Sequence, residues 1–251
     1  MSKKPELYVV LSDIHYPVHS KRAIKAVFEF IRQNPVAGVV LLGDFLDFET
    51  ISHHTAHKPR LRRRGGYQAD IDGFKRDVLN PLEKLLPHDA KKICVFGNHE
   101  RFLDDFIDEN PALEGAISVE KSLELVKRGW KVIPVGGHCK INNVLLMHGD
   151  QIGSSVHVAK KLVETTCRNS LMGHVHRFSA FTKTGVEDGD KWCGQTLPCL
   201  STTSPKFAKG RPNSFLHGFG IIESWGHHRV NIYIPIITQG KFCFHGTVYG
   251  G

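Results

Sequence analysis

The chain reads as an α/β protein, and three observations carry that reading. Short β-rich runs alternate with amphipathic helical stripes up to Gly173. Five of those runs end on histidine- and aspartate-containing motifs, at the carboxyl ends of strands, where ligands gather in sheets of this class. After Gly173 the helical stripes give way to further strand-like segments.

Taken in order, Leu7 to Leu11 is the first β-rich run and ends at Ser12-Asp13. Ile24, Val27, Phe28 and Ile31 then sit at i, i+3, i+4 and i+7, one apolar stripe of a helix that Ser20 is placed to cap. Val36 to Leu42 ends at Gly43-Asp44. Ile71, Phe74, Val78, Leu82 and Leu85 form a second stripe closed by Pro87, with Pro81 kinking or splitting it. Lys92 to Phe96 ends at Gly97-Asn98, and Leu103, Phe106 and Ile107 suggest a third helix stopped by Asn110-Pro111. Residues 112–128 and 155–166 can form two more. Val144 to Met147 ends at His148, and the shorter Leu171-Met172 at Gly173-His174. Residues 215–223, 229–237 and 241–249 look like strands of a second, more antiparallel sheet packed on the first. No linker interrupts the pattern, so residues 1–251 are expected to form one domain.

Bulk properties narrow the class. At 41% hydrophobic the chain can build an ordinary core, yet no apolar stretch approaches the ~20 residues that span a bilayer. Met1-Ser2-Lys3-Lys4-Pro5 runs almost directly into a strand, so a signal peptide is not expected. The six cysteines are scattered without a Cys-x-x-Cys pair and read as reduced thiols of a cytosolic protein. The formal charge of +8 favours polyanionic partners, nucleic acid being the usual one; simple solubility is the alternative.

The five motifs are Asp13-Ile14-His15, Gly43-Asp44-Phe45-Leu46-Asp47, Gly97-Asn98-His99-Glu100, His148-Gly149-Asp150 and Gly173-His174-Val175-His176. Two divalent ions need about eight to ten ligand contacts from carboxylates, imidazoles, amides and water. Asp13, His15, Asp44, Asn98, His148, His174 and His176 offer such a set, and Asp44 has two oxygens with which to bridge. Asp13 and His15 diverge in an extended chain, so a turn must bring both inward. Hard oxygen with imidazole suits Mn²⁺ first, with Fe, Zn²⁺, Ni²⁺ or Co²⁺ as the other expectations. Asp47 and Asp150 are placed to orient ligand histidines or to serve as turn residues; Glu100 either orients a neighbour or is a solvated acid.

In that order and spacing, the motifs resemble the calcineurin-like metallophosphoesterase superfamily, most of all its stand-alone bacterial and phage-type enzymes, over about residues 7–176. The resemblance implies a four-layer α/β/β/α sandwich of two mixed β-sheets flanked by helices. It implies that Asp13, His15, Asp44 and His176 hold one metal and Asp44, Asn98, His148 and His174 the other. It makes His99 a non-ligand catalytic histidine beside the scissile phosphate. The reaction implied is attack on phosphorus by a metal-bridging hydroxide.

Departures from subfamily patterns narrow the ester. Protein Ser/Thr phosphatases of the superfamily carry an Arg after the second Asp of the second motif, where this chain has Phe48-Glu49. The purple acid phosphatase Tyr ligand is missing, and His99 stands where lipid A pathway pyrophosphatases have Arg. A phosphodiesterase, nuclease-like or acting on nucleotides, remains; the alternatives are a phosphomonoesterase on a small metabolite or nucleotide, or a non-catalytic module on the same fold. Lys58 to Arg64 places five positive residues in seven in the loop after the second motif. Arg60, Arg62, Arg63 and Arg64 could follow a DNA or RNA backbone there, or form a solvated loop. His53, His54 and His57 in the same loop read as surface histidines or substrate contacts. His157 reads as structural, and His217 as core or surface with a possible approach to the site. Trp192, Phe207 and Phe215 read as core or loop packing rather than base stacking.

Overall fold

The computed structural model describes residues 4–53, 57, 65–185, 191–205, 210–226 and 229–251. Strand β1 (Glu6–Leu11) leads to α1 (Lys21–Gln33), β2 (Gly38–Leu42), α2 (Gly66–Phe74) and α3 (Asn80–Leu85). Next come β3 (Lys91–Val95), α4 (Asn98–Glu109), α5 (Val119–Ser122), β4 (Lys131–Ile133), β5 (His138–Ile141) and β6 (Val144–Met147). The chain continues through α6 (Val158–Thr166), β7 (Asn169–Met172), β8 (Ser179–Thr184), β9 (Lys191–Thr196), β10 (Gly220–Ser224) and β11 (Val230–Tyr233). It closes with β12 (Phe242–Phe244) and β13 (Thr247–Tyr249).

Two mixed sheets result. The first runs β11-β10-β1-β2-β3-β4 and is parallel from β1 to β4. The second runs β5-β6-β7-β9-β8, parallel across β6, β7 and β9. The side-chain period of two sorts each strand between two layers. In sheet one, Val9, Leu11, Val39 and Leu41 face Val27, Phe30 and Phe74 of the helices. Their neighbours Val10, Val40 and Leu42 face Val144, Leu146 and Leu171 of sheet two. Met147 and Met172 on the far face of sheet two pack on Val158 and Leu162 of α6. Helix, sheet, sheet and helix therefore stack as expected.

The last strands join differently from the sequence expectation. β10 and β11 extend sheet one antiparallel to β1, and sheet two is built from β5 to β9. The reason is burial on both faces: Ile221 enters the helix-side core and Ile222 the inter-sheet core, as a central strand requires. Residues 241–249 are the two-stranded hairpin β12–β13 rather than one strand. It covers α1, where Phe30 meets Phe242, Phe244 and Tyr249 with ring centroids 5.2–6.0 Å apart. Each such aromatic pair adds about 0.5–1.5 kcal/mol beyond its burial.

Two helices also differ in detail. Between α2 and α3 the chain stays helical through a π turn over Lys75–Leu79, so Pro81 follows a widened turn instead of breaking the helix. Residues 112–128 form only α5 and turns around it. Ser20 caps α1 as expected, its hydroxyl accepting from Ala23 N–H at 3.3 Å.

Candidate metal centre

All five motif-bearing strands, β1, β2, β3, β6 and β7, end at one site. The first motif runs beside the second: Asp13 N–H donates to Gly43 O at 3.1 Å and His15 N–H to Asp44 O at 2.8 Å. The turn required there is present. Asp13 (φ 53°) and His15 (φ 49°) are left-handed, so both side chains enter the site while Ile14 between them enters the core. Asp44, His174 and His176 are left-handed too, at φ 51°, 67° and 57°. Such backbone costs on the order of 1–3 kcal/mol per residue and gathers where function demands it.

The side chains converge in two adjoining groups, Asp13 with His15 and His176, and Asp44 with His148 and His174. In the first, His176 Nε2 lies 3.2 Å from Asp13 Oδ1 and 3.1 Å from His15 Nε2. In the second, His148 Nε2 lies 3.2 Å from Asp44 Oδ2 and 3.1 Å from Asn98 Oδ1, which is 3.0 Å from His174 Nδ1. Asp44 Oδ2 is also 3.8 Å from His15 Nε2, so this carboxylate stands between the groups. A third grouping joins His15 and Asp44 to His99, whose Nε2 is 4.0 Å from Asp44 Oδ2.

Hydrogen bonds behind the site decide which atom three of the histidines, His148, His15 and His99, present. His148 Nδ1 faces Leu42 O at 3.0 Å, and His15 Nδ1 faces Asp47 Oδ1 at 3.0 Å. A proton on each Nδ1 satisfies those acceptors and leaves Nε2 with a lone pair for a cation. His99 Nδ1 is bound the same way to Asp47 O at 2.7 Å. Asp47 thus orients two site histidines. Asp150 makes no hydrogen bond to a ligand histidine among the described residues; its Oδ1 is buried without a partner, and it acts on His174 only through space.

Glu100 is the largest departure from a surface reading. It is buried at 2% exposure, and its carboxylate accepts from Asp44 N–H at 2.9 Å, Gly97 N–H at 2.8 Å and Leu46 N–H at 3.1 Å. One side chain thereby ties the loops after β2 and β3 together. Burial, with Asp44 nearby, pushes its pKa up to about 7. Gly97 serves the same junction, since a Cβ there would run into Asp44 Oδ1 and Asp44 N. Of the two sequence readings of Glu100, the structure shows it holding neighbours, through backbone amides rather than a ligand side chain; the role of Gly97 was not foreseen, and the glycine before three of the candidate ligands was the available signal.

The donor set fits divalent cations. Burial opposes ionising Asp44, yet His148, His99 and His15 around it hold its carboxyl well below the usual range. Burial likewise opposes charge on His148, but Asp44 and then Asp13 push its pKa up to about 10. Two buried carboxylates ringed by imidazoles need positive charge between them, and lone pairs from several strands aim at common points.

Of the other sequence candidates, Arg60, Arg62, Arg63 and Arg64 lie outside the described residues, as do His54 and Phe207. His53 packs edge-on to Phe102 with centroids 5.9 Å apart, and Phe102 in turn lies 4.6 Å from His99. His157 is exposed ahead of α6, and His217 holds Ser201 O at 2.7 Å without entering a donor group. Phe215 rests on His176 at 4.5 Å, a contact the sequence did not indicate. All six cysteines are free thiols. No helix of the described residues is long and apolar enough to cross a membrane.

The sequence model of the calcineurin-like phosphoesterase family matches residues 7–233. Gene 54 protein of Mycobacterium phage L5 is 26% identical over 265 residues, covering 99% of both chains. Gene 54 protein of Mycobacterium phage D29 is 25% identical over 264 residues with the same coverage. Vacuolar Protein Sorting 29 from Cryptosporidium parvum shares the fold at a TM-score of 0.51 and 13% identity, over 99% of this chain and 100% of that one.

Proposed function

As the chain belongs to the calcineurin-like phosphoesterase family, we propose that it is a dinuclear-metal-dependent phosphodiesterase acting on nucleic acid or nucleotide diesters. One observation carries this reading: seven donors from five strand ends meet in two groups with Asp44 between them. Asp13, His15 and His176 would hold one divalent ion, Asn98, His148 and His174 the other, and Asp44 both. When bound, the ions supply Lewis acidity toward the phosphoryl oxygens and activate the attacking water. Mn²⁺ suits this mix of oxygen and imidazole.

The chain's own groups do the rest. Asp47 fixes His15 and His99 through its side-chain and backbone oxygens. His99, held at Nδ1, presents Nε2 beside Asp44, where it can hand a proton to the departing oxygen. Ser12 O–H and His174 N–H donate to Asp13 and aim that buried carboxylate; burial opposes its charge, and His176 and then His148 beside it hold its carboxyl below the usual range. Support for a polyanionic substrate comes from the +8 charge and from Arg60, Arg62, Arg63 and Arg64 in the loop after the second motif. Free, scattered thiols agree with a reducing, cytosolic setting.

The test is a Mn²⁺-supplemented panel of bis-p-nitrophenyl phosphate, p-nitrophenyl phosphate, cyclic nucleotides, RNA, and single- and double-stranded DNA. Turnover of the diester and of nucleic acid above the monoester is expected, with DNA cleavage falling as salt rises. Preference for the monoester would replace the reading with a phosphomonoesterase. A protein that binds no metal and cleaves neither chromogenic ester would be a non-catalytic module.

A further inference from the structure

Arg177 directly follows the candidate ligand His176, yet it joins neither donor group. Its backbone carbonyl accepts from the hydroxyl of the buried Thr196 at 2.7 Å. Its Nη2 donates to Ser154 O at 2.9 Å and to Ser155 O at 2.7 Å. These anchors fix a side chain that is only half-buried. Nε and Nη1 make no hydrogen bond among the described residues, and neither atom is buried.

The anchoring loop belongs to the fourth motif. Ile152 N–H donates to Gly149 O at 2.9 Å and Gly153 N–H to Asp150 O at 3.1 Å, so the chain turns back directly after His148-Gly149-Asp150. Ile152 shares a buried apolar cluster with Val175, the residue between His174 and His176. The guanidinium of Arg177 therefore bridges the loops after β6 and β7, at the sheet-two rim of the centre. Its charge is also set apart. Arg32, Arg76 and Arg128 pair with Glu29, Asp77 and Glu83. Among the described residues no carboxylate pairs with Arg177, although Asp13 and Asp44 each draw histidines within 4.0 Å. An arginine held by neutral carbonyls keeps its charge and its remaining N–H groups for an anion. Ser154 and Ser155 are exposed and bring hydroxyls to the same rim. Arginine and serine are common donors to the phosphate oxygens of a nucleic-acid backbone.

We propose that Arg177 is a specificity-determining residue: its guanidinium takes the phosphate next to the one being cleaved, which makes an oligonucleotide a better substrate than a lone diester. The inference rests on the phosphodiesterase reading and chooses between the nucleic acid and the nucleotide diesters that reading leaves open. The scissile phosphate belongs at the donor groups, where Asp13 and Asp44 call for cations. Arg177 pairs with neither carboxylate, so its charge lies outside that position, and a phosphate bound there is a second one.

The experiment compares substrates that differ by one flanking phosphate. With Mn²⁺, kcat/KM is measured on the dinucleotide TpT, whose one phosphate is the scissile one, and on the trinucleotide TpTpT, for wild type, Arg177→Ala and Arg177→Lys. Wild type should favour the trinucleotide by roughly tenfold per bond, the size of one charge-assisted hydrogen bond. Arg177→Ala should bring that ratio close to one, and Arg177→Lys should keep part of it. A ratio near one in wild type would overturn the proposal. So would equal losses on both substrates in Arg177→Ala, which leave the ratio in place and mark a loop fastener alone. Binding of fluorescein-labelled oligothymidylate to the Mn²⁺-loaded protein is followed by anisotropy at rising salt. Arg177→Ala should flatten the slope of log affinity against log salt by about one; an unchanged slope would count against the contact. Flattening without turnover of any ester would support the role of Arg177 while removing the phosphodiesterase reading.

Discussion

The two sheets supply the centre with different chemistry. Sheet one, through β1, β2 and β3, delivers both carboxylates, the Asn98 amide and His15. Sheet two, through β6 and β7, delivers imidazoles alone: His148, His174 and His176. The sheet-one half is braced from within, by Glu100 on three backbone amides and by Asp47 on His15. The sheet-two half is oriented from across the interface: His148 by Leu42 O and the His174 backbone by Asp13. One half is a preorganised anionic cradle; the other is a set of imidazole donors that depends on the docking of the two sheets.

Substitutions on the two halves should therefore differ in kind. The largest effect is expected from Asp44→Asn, since this carboxylate serves both groups. Turnover should fall by at least ~10³-fold and one cation should be lost, as read by kinetics and metal analysis. Near-normal activity would break the two-group account. Asp47→Ala removes the acceptor that orients His15, and metal affinity measured by titration should drop by about 10–100-fold. Glu100→Gln sets an amide donor against backbone N–H groups that need an acceptor. Stability should fall by about 1–3 kcal/mol. For a chain of this length that lowers the melting temperature by roughly 2–4 °C per kcal/mol. Asp150→Asn, on the sheet-two side, touches no ligand histidine through a hydrogen bond and should change metal affinity less than threefold. A loss as large as that of Asp47→Ala would show that sheet two also carries its own orienting shell.

What the sequence makes legible follows the same division. Ligand-type residues are scarce and conspicuous at strand ends, so the five motifs are readable without a structure, and the stripes of α1 and α4 follow from apolar spacing. Glu100 is not legible, because its partners are backbone amides far away in sequence and nothing about one acid reveals that it is buried. The allotment of strands was also hidden. β10 looks like any late strand, and only the burial of Ile221 and Ile222 on opposite faces places it inside sheet one. β8 is largely exposed at the edge of sheet two and lacks the apolar alternation that would announce it. Phe215 carries no local pattern; its contact with His176 arises because Leu216 is fastened to that histidine's backbone.

The central claim is that Asp44 joins two cation positions. Mn²⁺ titration with electron paramagnetic resonance tests it most directly. Wild type should take up two ions per chain with a spin-coupled signal, and Asp44→Asn should lose the coupling and the second ion. A single ion in wild type, or two uncoupled ions unaffected by Asp44→Asn, would contradict it.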